Sequence, residues 1–589
     1  MLSGAIWFDA SDRVERDVFE SSGLTATADV QLHWSECQAR DPYPSQPGIA
    51  ILACGRSVEP IYRSPDGRWL AAMKGSMYRR DGLRHRAEGA GCRLETDSPL
   101  EWITQLFARY SDTAWSHLDG TFSLLVADLT RQQVSFVSDR FGSVPMFLRR
   151  EGQRLWFSNS CKWVAEQSKV PHWDAANTDA YLAFGFVPSG ARCGEIQQLT
   201  AGQSVSISAM ADPQLKLVSA TSDDLLSAKC ATELVRAMCG RLTETPGQKA
   251  LLVTGASLGQ SVVEQCLQET NQDYVRVVTG RNVGSPVNQV SLVPDRLTPE
   301  TFQRFCRSLV TPVADVSAIW SYLAAQWCQE NERVLVTSTG QEMVDGLVRN
   351  WRPRRFAPQL GPGSISLCET LSLRMGSRMD CSPFMERIGR LCEELAQPAA
   401  RRWFARWTKL SDSQRATLMR ADALRQICTD PVRYLRPFPS ASRRPNGLDE
   451  SSWYWQTWFE EILPTSQLQP LAAFANDFEI AYSVPWLSEK FEFISLADNW
   501  RTLRTWFRRW LRINHNKNFQ TLDPASAWLN TDLREFAQDV LTQNGSQVAT
   551  WLDLSELRSR LKRVEPWSPT LSKRIWMFLV LEVWLRASG

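Results

Sequence analysis

A chain of 589 residues exceeds one ordinary domain and predicts two to four, each able to bury its own core. Its 66 basic and 64 acidic side chains nearly cancel, and a net charge of +2 gives no electrostatic argument for nucleic acid or an anionic membrane. The absence of an 18-residue apolar run, of a secretion signal in Met1 to Trp7, of paired histidines among five and of any CxxC among fourteen cysteines argues against a membrane span, an exported disulfide scaffold and a structural zinc site. A cytoplasmic protein with reduced thiols is expected.

Residues up to about 210 carry short β-branched and aromatic runs broken by turn signals, the texture of packed antiparallel sheets. The clearest unit is Gly120 to Asp128, a polar turn at Leu129 to Gln132, then Gln133 to Asp139, which predicts a hairpin with one buried face. A polar stretch from Ser208 to Lys229 predicts the join to the second half.

Three pieces of this first half carry a resemblance. Leu118-Asp119-Gly120-Thr121-Phe122, Asp139-Arg140-Phe141-Gly142 with Pro145 and Phe147, and Leu155-Trp156-Phe157-Ser158 resemble the signature of the asparagine synthetases. The resemblance implies that residues 1–210 form an α+β sandwich of the Ntn-hydrolase type, the family's glutaminase domain. That family's glutaminase uses a cysteine at the second position as nucleophile and N-terminal base. This chain has Leu2, with Ser3 beside it, and a serine hydroxyl is a much weaker nucleophile than a thiol near neutral pH. The family's Asn-Gly-Glu stretch is replaced by Lys74-Gly75-Ser76. A glutaminase fold without glutaminase activity is expected, with Ser3 an ordinary strand residue.

Beyond about residue 225, helix-length amphipathic segments alternate with short apolar strands at Ala250 to Val253, Tyr274 to Thr279 and Arg333 to Thr337, which predicts a parallel α/β core. Between the first strand and the helix opened by Val262 and Val263 lies Thr254-Gly255-Ala256-Ser257-Leu258-Gly259-Gln260-Ser261. A small, polar turn at a helix N-terminus suits an anion, because the first amides are unpaired and the helix dipole is positive there. Trp351-Arg352-Pro353-Arg354-Arg355 is a further local anion or peptide patch. The Trp-rich segments Ser452 to Phe459 and Trp506 to Trp510 read chiefly as core helix faces, with a peptide groove as the alternative use.

The same resemblance continues here in order. Leu252 to Ser261 is similar to the family's pyrophosphate loop, Leu309 to Ala318 to its aspartate-proline segment, and Arg333 to Gly346 to its second acidic loop. Val484-Pro485-Trp486-Leu487, Leu503-Arg504 and Lys517-Asn518-Phe519 resemble later elements. Residues 211–589 are thus expected to form an α/β parallel-sheet synthetase domain with many helices. The resemblance implies ATP held by Thr254, Gly255, Ala256, Ser257, Ser261 and Gly340, Mg²⁺ held by Glu342, and Glu342 and Lys517 as catalytic groups. The chain departs from the family at two acids: the loop carboxylate falls on Leu258 or Gly259, and the first acid of the second loop on Thr339. Such an ion takes oxygen ligands, so one retained acid predicts a weakened site.

The function implied is an ATP-dependent, AMP-forming amide ligase that adenylates a carboxylate. Without glutamine-derived ammonia the nucleophile is an amine of the substrate, as in the family's β-lactam synthetase and lasso peptide cyclase relatives. Macrolactam closure of a lasso precursor peptide is the expectation, with a precursor-processing protease and a leader-binding protein as partners. A catalytically impaired scaffold protein and a true glutamine-hydrolysing asparagine synthetase are the alternatives.

Overall fold

A computed structural model describes residues 2–7, 30–36, 48–54, 58–78, 80–171, 173–189, 195–208, 211–217, 230–244, 247–253, 257–279, 289–292, 297–341, 362–376, 383–396, 408–427, 431–435, 457–487, 500–511, 524–543, 545–563 and 565–588. The first twelve strands are β1 (Leu2–Trp7), β2 (Val30–Glu36), β3 (Gly48–Cys54), β4 (Val58–Arg63), β5 (Trp69–Met77), β6 (Gly120–Asp128), β7 (Gln133–Ser138), β8 (Phe147–Glu151), β9 (Arg154–Ser158), β10 (Gln197–Gln198), β11 (Gln203–Ser208) and β12 (Ala211–Leu217). They form two six-stranded sheets, ordered β10-β8-β9-β1-β3-β2 and β12-β11-β7-β6-β5-β4, with antiparallel pairing throughout.

The period of two in these strands decides the packing. Leu2, Ile6, Ile51 and Phe157 from one sheet meet Leu70, Leu125, Phe136 and Val205 from the other in a shared core. The alternate residues of the second sheet, Trp69, Met73, Phe122, Leu124 and Val126, face helices α1 (Arg80–Gly89) and α2 (Pro99–Tyr110) through Leu83, Trp102, Ile103 and Leu106. The β6–β7 hairpin therefore buries both faces of β6, not the single face its sequence suggested. The apolar run Leu124 to Ala127 is continuous because a helical layer covers its second side.

The chain continues through α3 (Cys161–Gln167) and α4 (Ala175–Phe184) before β10, and through α5 (Cys230–Glu244) after β12. The third sheet holds β13 (Lys249–Val253), β14 (Tyr274–Val278), β15 (Gln289–Ser291), β16 (Val334–Val336) and β17 (Tyr482–Ser483). Its order is β15-β14-β13-β16-β17 and every pair is parallel. The three strands expected from the sequence are its centre. Helices α6 (Leu258–Glu269), α7 (Pro299–Ser308), α8 (Ser317–Glu330), α9 (Asp412–Leu418), α10 (Gln469–Asp477), α11 (Trp500–Trp510) and α12 (Pro569–Ser588) surround it, and Val253, Val263, Phe302, Ile319, Phe474, Trp486 and Trp576 share one large core.

That core also takes in α4, whose Tyr181 is fully buried and donates its hydroxyl to the Met577 carbonyl at 2.8 Å. Asp179 of α4 pairs with Arg415 of α9 at 2.7 Å, both almost wholly buried. Arg241 of α5 reaches back to Asp119 at 2.6 Å and lies 4.8 Å over the Tyr78 ring. Before α10 the chain winds through two wide turns, Trp458–Ile462 and Pro464–Leu468, in which the Leu463 amide donates to the Trp458 carbonyl five residues back. Their fully buried Glu461 accepts from both the amide and the hydroxyl of Ser189. Among the described residues no helix is long and apolar enough to cross a membrane.

Candidate active site

In a parallel sheet with this order, the connections from β13 and β16 leave in opposite directions. The crevice outside their carboxyl ends is the place where such sheets bind ligands. The segments that follow those two strands are the ones the sequence singled out.

Beyond Val253, Ser257 caps α6: its backbone is extended, and its Oγ accepts from the Gln260 amide at 3.0 Å. Ser261 turns back, its Oγ donating to the Ser257 carbonyl at 3.1 Å. Val262, Val263, Cys266 and Leu267 bury the opposite face and fix the helix on the sheet. Gln260 in the first turn is 3% exposed, and its Oε1 has no hydrogen-bond partner among the described residues.

Beyond Val336, Thr337 is tied to β17 through its amide and the Ser483 carbonyl at 3.1 Å, and its Oγ1 donates to Thr339 Oγ1 at 3.1 Å. Gly340 has φ of 94°, a conformation that glycine adopts without strain. The turn closes when the Gln341 amide donates to the Ser338 carbonyl at 2.9 Å. It delivers Gln341 onto the α6 N-terminus, where Gln341 Oε1 accepts the Ser257 hydroxyl.

Gly259 explains how close the two loops come. A Cβ added there would overlap Gln341 Cβ, 3.1 Å from Gln341 Cα and 3.3 Å from the Trp486 ring. Trp486 is fully buried, donates Nε1 to the Gly259 carbonyl at 3.1 Å, and stands edge-on to Phe507 of α11 with centroids 5.9 Å apart. Ser257, Ser261, Gly340 and the Val484 to Leu487 segment are thereby brought together. Thr254, Gly255, Ala256, Glu342 and Lys517 lie outside the described residues. Gln341 and the role of Trp486 were missed; Gly259, one of the two positions on which the resembled acid could fall, was the signal for a close neighbour.

The groups present around Ser257 are hydroxyls, an amide side chain and backbone. No carboxylate is among the described residues there, and no cluster of three or more His, Cys, Asp or Glu able to hold a metal occurs among the described residues. Mg²⁺, a hard cation that selects carboxylate oxygens, would need the expected Glu342, which lies outside the described residues.

The first half holds a second feature. Leu2 is fully buried in the sandwich core, and its amide donates to Asn159 Oδ1 at 3.0 Å. Ser3 is equally buried, its Oγ sharing a hydrogen bond with Ser158 Oγ at 2.8 Å. Neither side chain presents a nucleophile to solvent. Lys74 Nζ donates to Asn476 Oδ1 of α10, and Gly75, at φ of 117°, packs so tightly on the Thr121 carbonyl that no Cβ fits. A cavity of about 690 Å³ opens between Lys74, Gly75, Ser76 and Asn159 on one side and Asn476 and Asp477 on the other. Burial raises the Asp477 carboxyl from its ordinary value, against the hydrogen bond of Ser308 and the charge of Lys74. Asp139, buried beside β6, is pushed up to about 7 by loss of water, against the Phe141, Ser143 and Phe122 amides that donate to it.

Residues 48–215 match the family model described as a glutamine amidotransferase domain. Asparagine synthetase [glutamine-hydrolyzing] 1 of Bacillus subtilis (strain 168) is 23% identical over 140 residues, 24% of this chain and 22% of that protein. Asparagine synthetase [glutamine-hydrolyzing] 3 of the same organism is 27% identical over 90 residues, 15% of each. These matches support the asparagine synthetase family. They span about a fifth or less of the relatives' own length. A solved structure titled as the allosteric regulatory enzyme of purine biosynthesis gives a TM-score of 0.24 at 13% identity over 49% of this chain and 62% of that one, which carries no argument.

Proposed function

We propose that the chain is an ATP-dependent amide ligase that activates a carboxylate as its AMP ester and joins it to an amine carried by the substrate. The observation that carries this reading is the meeting of three separate segments, Ser257 to Ser261, Ser338 to Gln341 and Val484 to Leu487, at the carboxyl ends of β13 and β16. The amides of the first α6 turn and the hydroxyls of Ser257 and Ser261 would hold phosphate oxygens. Leu2 and Ser3, both sealed in β1, support an amine nucleophile of the substrate over ammonia from glutamine. The first half then acts as a glutaminase fold retained for support, with residues 211–589 as the adenylating part.

Ring closure of a lasso precursor peptide is the finer form of the proposal, in the cytoplasm, with a processing protease and a leader-binding protein upstream. Glu342 as the single metal-holding acid and Lys517 beside the reacting carboxyl belong to the same proposal. No step is routed through the ion.

The second reading, a scaffold that has lost catalysis, is favoured by one observation: Gln341 closes on Ser257 and Gly259 without leaving room for a side chain at 259. Release of AMP and pyrophosphate from ATP and a candidate precursor peptide separates the two. Product formation dependent on the peptide supports the ligase. No nucleotide binding in calorimetry, with peptide present, removes it and leaves the scaffold.

A further inference from the structure

We infer that Gln341 is an internal stand-in for a phosphate oxygen, a latch that nucleotide must displace to enter the loop; this rests on the ligase reading. The argument starts from the Ser257 hydroxyl, which has one proton to give. Its oxygen accepts from the Gln260 amide, and its proton goes to Gln341 Oε1. A carbonyl oxygen carrying partial negative charge thus takes the donor, at the positive end of α6, that a phosphate oxygen would take. While Gln341 stays, Ser257 cannot donate to a ligand.

Two further observations make the contact a built one. The Gln341 backbone is fixed by the Gly340 turn and by its own amide bond to Ser338, so the side chain is delivered to Ser257 by a defined loop. Gly259 lets that loop approach until Gln341 Cβ lies where a side chain at 259 would begin, and Trp486 holds the Gly259 carbonyl from the other side. The α6 end is therefore matched to a neutral amide where the resembled family places a charged acid. Gln341, which lies inside the Arg333 to Gly346 segment without having been singled out there, sets how tightly the loop takes phosphate.

The test measures binding of ATP and of inorganic pyrophosphate to the full chain by calorimetry. Gln341→Ala removes the latch and keeps the Cβ that packs on Gly259. Gln341→Met keeps most of the bulk and removes only the acceptor, which preserves the packing if the smaller variant loosens. Both are expected to bind about threefold to tenfold more tightly than the wild type, the worth of one net hydrogen bond. Adding Ser257→Ala to either should cancel the gain. Wild-type and variant proteins that bind ATP equally well overturn the latch and leave the ligase reading standing. Absence of ATP and pyrophosphate binding in all of them overturns both.

Discussion

Gln341 lies in the space that a Cβ on Gly259 would need, so each residue determines what the other can be. Gly259→Ala should therefore destabilise the protein by about 1–3 kcal/mol, the usual cost of forcing extra volume into a packed site. Gln341→Gly should recover part of it. Gln341 Cα would still sit 3.1 Å from the new Cβ, which limits the rescue. A double-mutant cycle in denaturant reads the coupling, expected at about 0.5–3 kcal/mol for residues in contact. Strictly additive effects would mean that the two loops do not meet.

Leu2 is a core residue of the sandwich. Leu2→Ala should cost about 2–5 kcal/mol through lost burial and the hole left behind. In the same series the wild-type protein should release no glutamate from glutamine above background. Glutamate release that vanishes in Ser3→Ala would contradict the sealed geometry of β1.

Limited proteolysis should cut within the polar stretch Ser208 to Lys229 expected from the sequence, on the far side of β12, whose residues Ala211–Leu217 are paired with β11. The two pieces should then stay together through gel filtration. Tyr181 to Met577, Asp179 to Arg415, Arg241 to Asp119 and Lys74 to Asn476 all cross that join, the first two buried and the others part-buried. Fragments that separate without denaturant would show that these contacts do not bind the halves.

Asp139 gives a pH dependence with a definite sign. Its carboxyl is raised from 3.8 to about 7 in the folded chain. Between those values the folded state binds a proton that the unfolded state has lost, so its contribution to stability is full below about pH 4 and lost as pH rises through 7. The slope is at most about 1.4 kcal/mol per pH unit. Asp139→Asn should flatten the corresponding part of a stability profile measured from pH 4 to 7. An unchanged profile would show that the three amides and the Ser143 hydroxyl donating to Asp139 hold it ionised after all.

The strand before α6 and the opening of α6 were legible because an apolar run and an apolar helix start are both local signals. The antiparallel texture of the first half was legible for the same reason. The second covered face of β6 was not, because the two helices α1 and α2 decide it and the strand's own sequence does not. The membership of α4 in the core of the parallel sheet was likewise set by partners more than 200 residues away, Arg415 and Met577. Gln341 stayed hidden because its importance comes from an absence of side chain at Gly259, 82 positions earlier by the numbering, and a glycine alone does not say what fills its space.

The wide turns before α10 carry a constraint on length more than on composition. Each residue of an α-helix advances the chain by about 100°, and a wide turn holds one residue more than its α-helical counterpart. Removing a single residue from Pro464 to Leu468 would let that turn rewind as ordinary helix, and the side chains of the preceding turn would swing around the axis by about that angle. Glu461 would then leave Ser189 and enter apolar surroundings without its donors. Substitutions across this stretch should be tolerated far better than a one-residue deletion, a pattern that a deletion scan beside an alanine scan would make visible.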